Sequence, residues 1–127
     1  MPREIIGSPL TLPDGTPLPL SKAVRAGDFV FLSGQLGLDE NGRLADGIEA
    51  QTRHCLRNVA AILAEAGVTV AQVVKATAWL TDVVDFAAYN RIYAETFGDA
   101  PPARSTVVSG LALPGAKVEI EVVAYAG

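Results

Sequence analysis

Arg104, set two residues after a pair of prolines in Pro101-Pro102-Ala103-Arg104-Ser105, is the side chain in this sequence best suited to gripping a small anion. The prolines fix the backbone as it runs into a strand. The guanidinium offers a planar fork that takes a carboxylate bidentately. Glu119 and Glu121 alternate on the polar side of the last predicted strand. If the Arg104 strand lies beside that strand, Arg104 and one glutamate face a common pocket. The same residues would equally make a structural ion pair between strands. Ser33-Gly34-Gln35 is a second point of interest. A serine at a strand end followed by glycine can present a hydroxyl and backbone amides to a small ligand, or it can simply end the strand in a turn.

Other chemistries find little support. The sequence has no GxSxG, GxxxxGK[ST], HExxH or CxxC pattern. Its one histidine, His54, reads as a helix-surface residue. Its one cysteine, Cys55, falls on an apolar helical stripe and reads as a small buried hydrophobe. One Cys and one His do not supply a protein-only zinc site or an intrachain disulfide. The net charge is −4 and the ten Lys and Arg residues are scattered, so no basic track for nucleic acid is expected. No apolar run reaches about 18 residues and no signal-like start is seen, so neither a membrane nor export is expected and the expected location is the cytoplasm.

The elements that must position these residues follow from periodicity. The 127 residues, half of them hydrophobic, predict a single domain over 1–127 with a real core. The first 19 residues, rich in Pro, Gly and Thr, predict an extended lead-in with turns. Residues 18–25 and 29–33 predict a hairpin turning at Ala26-Gly27-Asp28. Ile48, Cys55, Leu56, Val59, Ile62, Leu63 and Ala66 recur at helical spacing and predict a helix over 47–66. Asp46 and Glu49 would form its capping box and Gly67 its stop. A strand over 73–81 follows, then a helix beginning near 82–85 with Phe86, Tyr89, Asn90, Tyr93 and Phe97 on one stripe. Strands over 104–109 and 117–125 complete the order β-β-α-β-α-β-β. That order predicts an α+β fold, a mixed sheet with two helices on one face. The other sheet face, with Val73, Thr77 and Trp79 as expected members, is left for another subunit.

Taken in order, several segments resemble the Rid (YjgF-like) family of reactive-intermediate enamine/imine deaminases. They are Ser21-Lys22-Ala23-Val24, Phe31-Leu32-Ser33-Gly34-Gln35, Gln51 through Asn58, Val74-Lys75-Ala76-Thr77, Asp85-Phe86 through Asn90, Pro102-Ala103-Arg104-Ser105, and Leu113-Pro114 with Val118-Glu119-Ile120-Glu121. The resemblance implies a chorismate-mutase-like fold and a homotrimer with sites in clefts between subunits. It implies hydrolysis of 2-imino acids or enamines to 2-keto acids and ammonia, with no metal or organic cofactor. Arg104 would hold the substrate carboxylate, Glu119 would act on the water, and the backbone carbonyl of Thr106 would help to hold that water. Ser33, Gly34, Asn90 and Leu20 would line or support the cleft. Two departures stand out: the family's deaminases usually carry Tyr where this chain has Leu20, and often Cys where it has Thr106. The alternatives are a non-catalytic protein that binds small carboxylates, an aminomuconate-type enamine deaminase, and a ribonuclease, which the acidic charge disfavours.

Overall fold

The computed structural model describes residues 2–12 and 14–127; Met1 and Pro13, both in the expected lead-in, lie outside the described residues. The elements run β1 (Glu4–Ile6), β2 (Ala23–Ala26), β3 (Phe29–Leu32), β4 (Gln35–Leu36), α1 (Gly47–Glu65), β5 (Val73–Leu80), α2 (Phe86–Phe97), β6 (Ala103–Val108) and β7 (Val118–Tyr125). The α+β class and the mixed sheet are those the sequence predicts. The order β-β-α-β-α-β-β needs two additions. β1 forms inside the lead-in and pairs with β2, and β4 forms just after Gly34. The first predicted strand, 18–25, shortens to Ala23–Ala26. Pro19 has no amide to donate, and the Leu20 amide bonds back to the Leu18 carbonyl at 2.8 Å in a tight local turn.

Across the sheet the strands lie in the order β1-β2-β3-β7-β5-β6. Among the described residues only the β5–β6 pair is parallel. β3 and β4 both pair with β7, but their registers differ by one residue: Phe31 faces Val123, while Gln35 faces Ile120. The extra residue is absorbed at Ser33-Gly34, a bulge that re-aims the chain beside β7.

One sheet face carries the core. Val118, Ile120, Val122 and Ala124 of β7 and Ala76, Ala78 and Leu80 of β5 are buried against Cys55, Leu56, Val59 and Leu63 of α1 and Tyr89, Tyr93 and Phe97 of α2. The alternation along β5 slips at its start. A register shift between Val73 and Lys75 turns Val73 into the core at 7% exposure and leaves Val74 outside at 44%. Val73 therefore does not belong to the open face, as the simple alternation predicts; Val74 takes its place.

α1 ends as expected. Gly67 has φ 79°, and the Gly67 and Val68 amides bond the Ala64 and Leu63 carbonyls, each at 3.0 Å. This is the left-handed glycine stop of a Schellman motif. The expected capping box at its start does not form. Asp46 makes no side-chain cap, and Glu49 instead reaches Arg91 of α2 at 2.8 Å. Arg53 and Glu95 make a second exposed bridge between the helices at 3.2 Å; such pairs contribute at most about 1 kcal/mol each.

Three polar side chains of α1 fasten the segments that carry the site. Asn58 donates to the Leu36 and Leu38 carbonyls at 3.1 and 3.0 Å. The Cys55 thiol donates to the Gln35 carbonyl at 2.9 Å. Gln51 donates to the Gly115 carbonyl at 3.1 Å and accepts from the Lys117 amide at 2.8 Å. Gly37 allows this close docking, since a Cβ there would lie 2.5 Å from the backbone of Gln51.

The second sheet face is uncovered in the single chain. Phe29, Phe31, Val107 and Tyr125 are 41–46% exposed on it, and Phe29 and Tyr125 stack at 5.3 Å between ring centroids.

Candidate active site

Arg104 sits on β6 opposite Ala76 of β5, and Thr106 opposite Ala78. Ala76 and Ala78 are fully buried on the helix side, so Arg104 and Thr106 turn their side chains to that side. There the guanidinium carbon lies over three aromatic rings of α2 and its first turn: 4.8 Å from the Tyr93 centroid, 5.2 Å from Tyr89 and 5.8 Å from Phe86. The helix period makes this cradle, since positions 86, 89 and 93 fall on one stripe. Among the described residues no carboxylate lies within ion-pairing distance of Arg104. The cation is thus half-buried, set over aromatic rings and without a counter-ion among the described residues.

The expected neighbourhood of Arg104 and Glu119 does not form within one chain. β5 lies between β6 and β7. Glu119 is opposite Trp79, and Glu121 opposite Thr77, on the uncovered face. Arg104 is on the covered one. Both the shared pocket and the cross-strand ion pair assume that β6 and β7 are neighbours, and neither exists in the single chain.

Glu119 occupies a niche at the β3–β4 bulge. A Cβ on Gly34 would collide with its carboxylate oxygen, so only glycine leaves room for the acid in this position. Trp79 and the Ser109–Ala112 loop form the walls of this cleft, shared with Glu121. Burial raises the pKa of Glu119 above its ordinary value of 4.5, and the nearby Glu121 charge raises it further.

The remaining predicted residues fall into two further places. Leu20 is exposed in a cleft with Pro19, Ser21, Val24, Phe31 and Ser33. The Ser33 hydroxyl donates to the Ser21 carbonyl at 2.6 Å, so its proton is committed to the backbone. Asn90 lines a cleft of about 390 Å³ with Tyr93, Ala94, Phe97, Pro101, Pro102 and Arg104. Among the described residues, the buried Asn90 Oδ1 and Tyr93 hydroxyl have no hydrogen-bond partners.

The backbone of Thr106 faces the open rim of the sheet. The Ser109 amide donates to the Leu80 carbonyl at 2.9 Å, which sets the phase of the parallel ladder. Val107 and Ser105 then turn their backbone groups to β5, while Arg104 and Thr106 turn theirs outward from the edge. The Thr106 hydroxyl lies 3.5 Å from that of Tyr89.

The bland readings of His54 and Cys55 match the structure. His54 is on α1 with its ring nitrogen 3.4 Å from Arg57. Cys55 is fully buried, and burial pushes its thiol pKa up, away from thiolate chemistry. Among the described residues no three of His, Cys, Asp and Glu gather as metal ligands. Among them, too, no helix is long and apolar enough to cross a membrane. The ring cradle beneath Arg104 and the glycine niche of Glu119 are features that reading the sequence missed. The spacing of the α2 aromatics was the visible signal for the first, but it points equally to ordinary core.

Residues 15–126 match the family model described as Endoribonuclease L-PSP. The chain belongs to the Rid (YjgF-like) family. Among its Rid relatives, the 3-aminoacrylate deaminase RutC of Acinetobacter baylyi is 42% identical over 130 aligned positions, spanning 98% of this chain and 99% of its own length. Reactive Intermediate Deaminase A, chloroplastic, of Arabidopsis thaliana is 45% identical over 84% of this chain and 58% of its own length. The crystal structure of RidA from an Antarctic Psychrobacter has a TM-score of 0.86 at 34% identity, covering 96% of this chain and 98% of that one. E. coli TdcF with bound serine superposes with a TM-score of 0.85 at 30% identity, over 98% and 99% of the two chains. The Rid fold is thus shared along nearly the whole chain.

Proposed function

We propose that this Rid-family chain hydrolyses small 2-imino acids and their enamine tautomers to 2-keto acids and ammonia. The observation that carries the reading is Arg104: a half-buried guanidinium over aromatic rings, with no carboxylate among the described residues to neutralise it. Its N–H groups fit a substrate carboxylate. The two relatives named deaminases support the reaction class.

In this reading the site is composed of two subunits of a homotrimer, packed through the uncovered sheet face. One subunit contributes Arg104, Asn90 and the outward carbonyl of Thr106 from its sheet edge. The other contributes Glu119, Gly34, Ser33 and Leu20. The imino acid lies with its carboxylate on Arg104. Glu119, ionised, takes a proton from a water that the Thr106 carbonyl also holds. The water oxygen attacks C2, the C=N π pair moves to nitrogen, and Glu119 gives that nitrogen the proton it took, leaving a neutral carbinolamine. Glu119 then takes the carbinolamine hydroxyl proton and passes it to the nitrogen as the C–N bond breaks, so ammonia and the 2-keto acid leave and Glu119 is ionised again. No metal or organic cofactor is needed. General-base help of this kind is worth about 10²–10⁴-fold. Leu20 gives an apolar wall suited to the substrate's alkyl group.

The name of the Acinetobacter relative favours a second substrate, 3-aminoacrylate, in which the nitrogen is one carbon further from the carboxylate. The endoribonuclease description of the family model has no counterpart in the charge of this chain, which is net −4 without a basic track. The test is to release 2-iminobutanoate in situ with an amino-acid dehydratase and follow semicarbazide trapping. The protein should divert the imine to free 2-oxobutanoate. Unchanged trapping with folded protein would mean that it is a carboxylate-binding relative without this activity.

A further inference from the structure

We propose that Tyr89 is a positioning residue that holds both working groups of β6 at once. The inference rests on the deaminase reading for its kinetic part, and on geometry alone for the rest. Tyr89 is fully buried at the centre of α2, between Phe86 and Tyr93. Its ring supports the Arg104 guanidinium at 5.2 Å. Its hydroxyl lies 3.5 Å from the hydroxyl of Thr106, two residues along the same edge strand. Of the three rings in the cradle, only Tyr89 has a hydrogen-bonding contact to Thr106 as well.

β6 needs such a brace. It is an edge strand with only β5 beside it, and its even-numbered residues direct their backbone groups outward. A long cation on an edge strand loses much rotamer freedom when it binds. A ring face that already attracts the guanidinium removes part of that loss before the ligand arrives. The ring centre lies 5.2 Å from the guanidinium carbon, and among the described residues no carboxylate lies within ion-pairing distance of Arg104, so a ligand carboxylate displaces no anionic partner. The hydroxyl contact links this support to the residue whose carbonyl would hold the water.

The experiment separates ring, hydroxyl and fold. Tyr89→Phe keeps the ring and should leave Arg104 ordered; Tyr89→Leu should free it. The first readout is the Arg104 Nε–Hε NMR signal, shifted by the ring currents in the wild type. It should keep that shift in Tyr89→Phe and, in Tyr89→Leu, move to the value that Tyr93 and Phe86 alone impose, with greater mobility. The second is the kinetics on 2-iminobutanoate and the affinity for 2-oxobutanoate. Tyr89→Leu should raise KM and Kd about two- to thirty-fold. Tyr89→Phe and Tyr89→Leu should both lower kcat, since each loses the hydroxyl contact to Thr106. Should Tyr89→Leu fail to fold, Tyr89→Phe carrying one, two or three ring fluorines keeps the shape while draining the ring face. The logarithm of Kd should then rise stepwise with fluorine count.

An Arg104 signal unchanged by loss of the ring overturns the proposal whatever the enzyme does. So does a KM that stays fixed while kcat falls in step with melting temperature, the pattern of a merely structural tyrosine. If Arg104 loosens as expected but the wild type leaves the imine untouched, the deaminase reading fails and the positioning role stands.

Discussion

Arg104 and Glu119 carry opposite burdens. The guanidinium has lost part of its water to three rings and has no carboxylate partner among the described residues. In the proposed reaction Arg104→Ala therefore removes a ligand grip without breaking an ion pair. A charge-assisted hydrogen bond contributes about 1.5–3 kcal/mol, so kcat/KM on 2-iminobutanoate should fall at least 10- to 100-fold, while the melting temperature moves little. Steady-state kinetics beside thermal unfolding checks both halves. In the proposed reaction Glu119 must be ionised to accept a proton from water. Its pKa is raised, first by burial and then by Glu121. Activity should then rise with pH through a limb lying above the ordinary value of a glutamate. Glu121→Gln removes the neighbouring charge and should move that limb to lower pH; a limb that stays fixed or rises would contradict the assignment. The sign for stability is the reverse. A raised carboxyl pKa contributes stability that is present at low pH and lost as pH climbs through it. Leu20→Tyr is the third change at this scale, and turnover of small imino acids should rise; unchanged rates would show the ring to be unimportant here.

At the scale of elements, two glycines that look alike in sequence do different work. A Cβ on Gly34 meets the end of a side chain, the Glu119 carboxylate, which can swing away. Gly34→Ala should therefore fold, but with kcat reduced by an order of magnitude or more as the base is displaced. A Cβ on Gly37 meets the backbone of Gln51 at 2.5 Å. Gly37→Ala should cost about 1–3 kcal/mol of stability, because α1 itself must shift. Denaturant melts and kinetics on the two variants distinguish them. Neither distinction is legible in the sequence, since each depends on what another element brings close. What was legible was periodic. The stripe of α1, the Gly67 stop and the alternation of β7 follow from patterns within each segment. β1 and β4 are too short to show a period. Asp46 makes no side-chain cap, and the Glu49 side chain pairs with Arg91 of α2. Val73 changed faces because a bulge shifts the count by one. The pairing of β6 with β5 rather than β7 is a property of the sheet, and it separated Arg104 from Glu119 in the single chain.

For the whole molecule, that separation joins with the uncovered sheet face. A patch holding Phe29, Phe31, Val107 and Tyr125 is suited to burial against another copy. Phe31→Glu should give a folded monomer by sedimentation, with little or no deaminase activity, although no residue of the reaction has been changed. Activity that survives in such a monomer would mean that one chain suffices. The most direct test of a site composed of two subunits is complementation. Arg104→Ala and Glu119→Gln should each be inactive alone. Unfolded together in equal amounts and refolded as mixed trimers, they should regain activity, because about a quarter of the clefts then join an intact Arg104 from one chain to an intact Glu119 from another. Mixed trimers as inactive as either parent would contradict the account.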